Sequence, residues 1–277
     1  MNSNLLNLLA FDTSTDVLSI AVQRVDGSVL RTWEHSGPGG AQASAALIPA
    51  IRALMAQAGL EFGDLAAIVF GRGPGSFTGL RTACSVAQGL AFGAQPRAVP
   101  VLPVDTLLAV AEEARFQLAA GEISQGRPAP ARLQVMAMLD ARMDQIYRQN
   151  YDFESEVWLP LGSCEAISPE AARWSVPPGQ AEPHPADQQP GQLMAGNVFA
   201  SYGDRLPEAA WPRCSAWPTA SALLRLAPQL LQAGLAVPAE QALPLYIRDK
   251  VAQTTQERLL AKAQSATQTP AAAKITR

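Results

Sequence analysis

The stretch that most constrains this chain joins an apolar run to a helix through closely spaced glycines. Residues 65–70 are an apolar strand candidate, and three glycines follow it around Pro74, namely Gly71, Gly73 and Gly75. Glycine permits left-handed backbone and proline fixes φ, so the chain must turn sharply there. A helix should follow, capped by Ser76 or Thr78 and ending near Gly93. The segment therefore predicts a rigid strand–turn–helix corner, which could bind an anion or a partner.

The corner does not match the common phosphate or nucleophile motifs. A P-loop requires a lysine that this segment lacks, and Ser76 stands where the dinucleotide fingerprint requires its third glycine. A nucleophile elbow requires a residue between glycine and serine, whereas Gly75 and Ser76 are adjacent. Local chemistry leaves two alternatives open, a tight turn with only a structural role and a binding site.

The predicted helix carries an unusual row of small residues. The row falls at helical spacing and consists of Gly79, Ala83, Ala87 and Ala91. Small side chains let another helix approach closely. That helix could belong to this chain or to another protein, and we expect another protein.

Composition excludes several classes of protein. The chain has 277 residues, 48% of them apolar and 16% charged, which is enough for two domains with packed cores. A net charge of −3 argues against this chain alone being the main nucleic-acid surface. The two histidines form no metal-ligand pair, so we predict no metal site. Three widely spaced cysteines favour buried thiols in a reducing compartment, and no apolar stretch is long enough to span a membrane.

Hydrophobic periodicity predicts two lobes. The first reads β-β-β-α-β-α-β-α, with strands near 5–11, 17–25, 28–34, 65–70 and 97–101 and helices near 43–58, 77–93 and 104–118. A second lobe begins with a strand at Leu133, and residues 219–233 form an amphipathic helix. The four-residue spacing of Asp12 and Asp16 recurs at Asp140 and Asp144, which suggests duplication. We predict lobes at 1–120 and 121–250, a surface loop at 175–191 and a flexible tail at 251–277.

Four segments together resemble one protein family. The corner and its helix, the opening strand that ends in Asp12-Thr13-Ser14-Thr15, and the segments around Asp140 and Tyr246 match in order. They resemble the TsaB family, the dimerisation subunit of bacterial tRNA threonylcarbamoyladenosine synthesis. The resemblance implies an α/β fold of two actin-like, RNase H-like lobes, each a mixed sheet with packed helices. Many relatives carry a histidine near the start of the first helix, where this chain has Ala43 and Ser44.

The resemblance implies a scaffold rather than an enzyme. The chain would bind the catalytic subunit TsaD and, with the ATPase TsaE, support threonylcarbamoyl transfer to adenosine 37 of tRNA in the cytoplasm. It would contact tRNA through the complex and could pair with itself when alone. We expect no tightly bound cofactor, although ATP or ADP could bind at the interface of the complex. The alternatives are an active ATP-dependent enzyme of the same fold and a peptidase.

The candidate site residues fall into two groups. The partner-binding candidates are Arg72, Gly73, Pro74, Gly75, Ser76, Phe77, Thr78, Gly79, Arg81, Ala83, Ala87 and Ala91. Asp12, Thr13 and Ser14 would be a vestigial phosphate-binding hairpin or simply a hydrogen-bonded turn. The usual hairpin of the actin-like fold is rich in glycine, so this turn makes tight ATP binding doubtful. Asp105 should cap a helix. We expect Asp140 and Arg142 to form an ion pair across a turn, the alternative being that they place a carboxylate and a guanidinium at the mouth of a cleft. We predict no catalytic residues.

Overall fold

Each half of the chain forms one five-stranded mixed sheet with helices packed on it. A computed structural model describes residues 6–96, 98–121, 130–174, 191–208 and 211–247. Residues 6–247 belong to one compact unit. The predicted α/β class with two mixed-sheet lobes is confirmed. The lobe boundaries stay predictions, and the tail after residue 250 and nearly all of the predicted 175–191 loop lie outside the described residues.

The first sheet has the predicted order of elements along the chain. Its strands are β1 Leu8–Asp12, β2 Val17–Asp26, β3 Val29–Pro38, β4 Ala67–Gly73 and β5 Val101–Asp105. Its helices are α1 Ala43–Ala58, α2 Phe77–Gly93 and α3 Thr106–Ala119. The spatial order is β3-β2-β1-β4-β5, with β1, β4 and β5 parallel. The strand predicted at 97–101 is wrong in its bounds, since β5 runs from Val101 to Asp105 along the edge of the sheet.

The second sheet repeats the topology of the first. Its strands are β6 Arg132–Arg142, β7 Gln145–Glu154, β8 Val157–Ile167, β9 Gly191–Gly196 and β10 Arg213–Ser215, with helices α4 Phe199–Tyr202 and α5 Ala220–Gln232. The order is β8-β7-β6-β9-β10, so β6 occupies the place of β1. In both lobes this strand pairs with one antiparallel and one parallel neighbour. Shared topology supports the duplication that the aspartate spacing suggested.

Two helices join the sheets into one core. Helix α3 follows the first sheet but packs on β6 and β9, whereas α5 follows the second sheet and packs on β1 and β2. One apolar cluster therefore contains side chains from both sheets, such as Ala10, Val135 and Leu223. Arg225 of α5 also pairs with Glu112 and Glu113 of α3, at 2.9 and 2.6 Å. This shared core fixes the two lobes to each other.

Candidate partner-binding site

The glycine-rich corner is built as the sequence predicts. Strand β4 ends at Gly73, and α2 begins four residues later. Ser76 is the N-cap, and its hydroxyl accepts a hydrogen bond from the Gly79 N–H at 3.5 Å. Thr78, the other candidate cap, lies exposed in the first turn. A capped helix directly after a buried strand gives the corner a fixed geometry.

The corner packs tightly against the turn between β1 and β2. The Ser76 N–H donates to the Ser14 carbonyl at 2.8 Å, and the Thr13 hydroxyl donates to the Gly79 carbonyl at 2.7 Å. A Cβ atom on Gly75 would lie 2.6 Å from Ser14, and one on Gly79 would lie 1.9 Å from the Thr13 carbonyl oxygen. These two glycines are therefore explained by close backbone approach inside the chain.

The same packing buries the residues of the β1–β2 turn. Asp12, Thr13 and Ser14 are all buried. The Ser14 N–H and hydroxyl both donate to Asp12 Oδ1, at 2.8 and 2.6 Å. The Ser14 N–H is therefore already bonded within the turn, and the Thr13 side chain is held by α2. The hydrogen-bonded-turn alternative explains the observed geometry.

Asp12 carries the most perturbed carboxyl group of this region. Its Oδ2 has no hydrogen-bond partner among the residues that the structure describes. It lies over Gly71, where a Cβ atom would come within 1.8 Å of it. Complete burial raises the pKa of Asp12 from 3.8 to about 6, although the two bonds from Ser14 act in the opposite direction.

The two arginines of the corner have partners within the chain. Arg72 Nε lies 2.6 Å from Asp105 Oδ1, so the Arg72 guanidinium already has a carboxylate partner within the chain. Asp105 stands at the N-cap of α3 but makes no capping hydrogen bond there, because its side chain pairs with Arg72. Arg81 donates to the Tyr246 hydroxyl at 3.1 Å and remains exposed. The Tyr246 ring also packs on Phe77, with centroids 5.1 Å apart.

The row of small residues on α2 faces inward, which corrects our expectation of a partner-facing row. Gly79, Ala83, Ala87 and Ala91 are buried, and the three alanines pack in the core between α2 and the first sheet. Small side chains there let α2 approach the sheet closely. A side chain buried in this way cannot contact another protein. Partner contacts of the other candidates, from Arg72 to Thr78 and at Arg81, stay a prediction.

An ion pair connects the two lobes at the second hairpin. The Arg142 backbone N–H donates to Asp140 Oδ1 at 2.7 Å and its guanidinium contacts Oδ2 at 3.3 Å, which confirms the predicted pairing across the turn. The guanidinium also binds both oxygens of Asp16 in the first lobe, at 2.7 and 2.6 Å. Arg142, Met143 and Asp144 all have left-handed φ, from 54 to 60°.

The remaining expectations concern metals, thiols and membranes. Within the described ranges, no three His, Cys, Asp or Glu side chains come together in a way that could hold a metal ion. The three cysteines are free thiols; Cys84 and Cys214 are buried, and Cys164 is partly buried. Among the described helices, none is both long and apolar enough to cross a membrane.

Comparison with known proteins decides the family. Residues 38–256 match the sequence model of a family described as TsaD, tRNA N6-adenosine threonylcarbamoyltransferase. A Haemophilus influenzae relative, named tRNA threonylcarbamoyladenosine biosynthesis protein TsaB, is 30% identical across 89% of this chain and 95% of its own. The chain belongs to the TsaB family. A TsaB from Escherichia coli is 29% identical across 89% of this chain and 96% of its own.

Solved structures agree with membership of the TsaB family. YeaZ from Pseudomonas aeruginosa is 34% identical and superposes with a TM-score of 0.69, covering 87% of this chain and all of its own. A second structure is described as an uncharacterized protein with similarity to peptidase YEAZ from the same organism. It is 32% identical with a TM-score of 0.70, over 88% of this chain and all of its own.

Sequence reasoning missed two features of this TsaB-family chain. It did not pair Asp16 with Arg142, which lie 126 residues apart. It also did not place Tyr246 on the corner, although the resemblance had marked the segment around Tyr246. No local pattern reports either contact, because both depend on how distant elements pack.

Proposed function

We propose that this chain is a non-catalytic scaffold subunit of the machinery that makes N6-threonylcarbamoyladenosine at position 37 of tRNAs. It would bind and activate the catalytic subunit TsaD, together with the ATPase TsaE, in the cytoplasm. The names of its relatives, which place them in tRNA threonylcarbamoyladenosine biosynthesis, support this role. The scaffold role itself rests on the outer face of α1 and α2.

The observation that carries the proposal is the difference between two glycines of α2. Gly79 is required inside the chain, since a Cβ atom there would collide with the Thr13 carbonyl. Gly89 lies exposed in the same helix, and a Cβ atom there would meet nothing within 4 Å. Glycine in a helix interior costs about 1 kcal/mol relative to alanine, and packing inside this chain does not explain that cost. A glycine facing outward does allow another helix to approach closely.

The surface around Gly89 has the composition of a docking face. We define the α1–α2 face as the exposed residues Ala45, Ile48, Arg52, Ala53 and Ala56 of α1, and Thr78, Arg81, Ser85, Gly89 and Phe92 of α2. The two helices are neighbours on the first sheet. Phe92 is 77% exposed, and a large aromatic side chain among small neighbours is a typical interface anchor. We therefore place the contact with TsaD, and any self-association, on this face.

The closed β1–β2 turn supports a non-catalytic role. A kinase-like or ATPase-like subunit needs backbone N–H groups open to phosphates, whereas the turn here is buried and bonded to Asp12 and α2. Any ATP or ADP would accordingly bind at the interface of the complex, and tRNA would be reached through the complex. Saturable ATP hydrolysis by the isolated chain, free of contaminating partners, would contradict this part of the proposal.

The docking face can be tested by placing a large charge on it. We expect Gly89→Arg to leave the melting temperature within about 2 °C of wild type, because the side chain enters open space. The same change should abolish co-elution with TsaD, since an unpaired charge buried in an interface costs several kcal/mol. Size-exclusion chromatography with light scattering measures both TsaD binding and self-association.

The matched control is Ala119→Arg, which puts the same side chain at an exposed position in the last turn of α3. It should bind TsaD like wild type. Undiminished TsaD binding by Gly89→Arg would place the interface elsewhere. Equal loss in both variants would point to a general effect of the added arginine.

A further inference from the structure

Strand β3 is a long and regular strand at the edge of the first sheet. It runs for 10 residues in unbroken register with β2. In the part of the chain that the structure describes, no strand pairs with its outer side. Its one proline, Pro38, is its last residue, so no proline interrupts the row of backbone N–H and C=O groups on that side. Such an edge is a template on which another chain can add a strand.

The other edges of the two described sheets are blunted in ways that natural proteins use. Strand β5 has 5 residues with Pro103 at its centre, and β10 has only 3. Strand β8 contains Pro160, and its register with β7 shifts near Gly162, which has a left-handed φ of 76°. Short strands, prolines and irregular pairing all hinder the addition of a further strand. Among the described strands, β3 is therefore the edge best suited to it.

The pairing of β3 with β2 fixes the direction in which its side chains point. Residues that lie opposite each other on neighbouring strands point to the same face. Glu34 lies opposite Ala21, and Ser36 lies opposite Ser19. Ala21 packs in the apolar cluster that contains α5, and the Ser19 hydroxyl accepts a hydrogen bond from the Ala220 N–H at the start of α5. Glu34 and Ser36 consequently point to the α5 side of the first sheet.

A pocket of about 360 Å³ lies on that side of β3. Glu34 and Ser36 line it together with residues of β2, α3, α5 and the segment before α5. Two aromatic side chains of its wall are well exposed, Phe116 at 45% and Trp217 at 40%. An exposed tryptophan beside an open strand edge is a typical anchor point for a partner.

Within the described residues, one carboxylate of this pocket lacks an ion-pair partner. Glu113 accepts hydrogen bonds from the Thr219 hydroxyl at 2.7 Å and from Arg225 at 2.6 Å. The Arg225 guanidinium also lies over the Phe116 ring, 4.1 Å from its centroid. Glu34 is the carboxylate that remains exposed without such a pair. A free carboxylate beside exposed aromatic rings favours a guanidinium, which pairs with the carboxylate and stacks on a ring.

We propose that β3 accepts an extended segment of a partner protein as an additional strand, and that an arginine side chain of this segment occupies the pocket. Main-chain hydrogen bonds to β3 supply affinity, and the pocket supplies specificity. Every second side chain of an added strand points to the face that carries the pocket. The pocket and the α1–α2 face lie on opposite sides of the first sheet, so this site does not depend on the scaffold role.

The test uses a fluorescein-labelled nine-residue peptide in which threonine and valine alternate around a central arginine. Fluorescence anisotropy measures its affinity for the full chain. Citrulline, the uncharged counterpart of arginine, should weaken binding about tenfold, because the ion pair and the cation–π contact are lost. Glu34→Gln should weaken binding of the arginine peptide similarly and should hardly affect the citrulline peptide. Glu240→Gln, the same change at an exposed glutamate outside the pocket, should bind both peptides like wild type.

Methylation of the peptide backbone tests whether the segment adds as a strand. The N–H groups of alternate residues point to the same edge of an extended strand. Two further peptides therefore carry N-methyl groups at either the odd or the even positions. One of them should lose binding because its methyl groups face β3, and the other should retain it.

Several outcomes would overturn the proposal. These are failure of the arginine peptide to bind, equal binding of the citrulline peptide, and equal affinity of the two N-methylated peptides. A second copy of this chain on β3 would appear as a dimer that persists in Gly89→Arg and competes with the peptide, and it would also overturn the proposal. Glu34→Gln should bind TsaD like wild type, so this site and the scaffold role can fail separately.

Discussion

At the scale of single residues, Asp12 makes the stability of the fold depend on pH. Its carboxyl group is buried beneath the glycine-rich corner, and its pKa rises from 3.8 to about 6. A raised pKa means that the folded state binds the proton more tightly than the unfolded state does. The stability that comes from this tighter proton binding is therefore fully present below about pH 4 and is lost as the pH rises through 6. A shift of this size corresponds to about 3 kcal/mol.

Asp12→Asn should remove that pH dependence. The amide oxygen can still accept the hydrogen bonds from Ser14, but no charge has to be buried at neutral pH. We expect the variant to gain stability relative to wild type as the pH rises from 4 to 7, by up to about 3 kcal/mol. Urea unfolding at several pH values measures the difference. Asp26→Asn, which removes a carboxyl group at the exposed end of β2, is the control for the loss of a carboxyl group as such. A stability difference between Asp12→Asn and wild type that stays constant from pH 4 to 7 would contradict the raised pKa of Asp12.

At the scale of elements, α2 has a buried face and an exposed face, and both carry small residues. The buried face carries Ala83 and Ala87 against the first sheet, and the exposed face carries Ser85 and Gly89. A charge on the buried face has no water and no partner, so its burial costs several kcal/mol. Ala87→Glu should therefore unfold or precipitate the protein rather than selectively abolish association.

A matched substitution on the exposed face tests whether Ala87 is buried against the sheet. Ser85→Glu, two residues away on the outer face, should keep a native circular dichroism spectrum and a cooperative melting transition. A folded, stable Ala87→Glu protein would show that the sheet does not cover this side of the helix. Soluble expression and thermal unfolding of the two variants are the measurements.

At the scale of the whole molecule, the shared core should make the two lobes unfold together. Leu47 packs in a cluster on the α1–α2 side of the first sheet, and Leu206 packs in a separate cluster of the second lobe. Leu47→Ala and Leu206→Ala should each cost about 2–5 kcal/mol. Because α3 and α5 connect the sheets, either change should lower one common transition, by roughly 10 °C.

Differential scanning calorimetry distinguishes unfolding of both lobes in one transition from independent unfolding of each lobe. A single transition with equal calorimetric and van't Hoff enthalpies is expected for wild type and both variants. Two resolved transitions, with Leu47→Ala moving only one, would show that the shared core does not couple the lobes. Rigid coupling of the lobes would suit the proposed scaffold role, because cleft opening and closing would require them to move apart.

Much of this architecture was predictable from the sequence alone. The glycine-rich corner, the Ser76 cap and the order of elements in the first lobe follow from local rules, since turns, caps and periodicity depend on residues close in the chain. The repeated aspartate spacing suggested a duplication that the matching strand orders support. The motifs also sufficed to identify the family.

The tertiary structure alone decided which face of α2 is covered. Both faces of α2 carry small residues, so the 3.6-residue period alone does not show which face is covered. The fold buries the row of Ala83 and Ala87 because the corner directs α2 onto the sheet with Gly79 against Thr13. The Arg142–Asp16 pair and the position of Tyr246 were likewise beyond local rules. Each joins residues more than a hundred positions apart, and only the packing of whole elements brings such residues together.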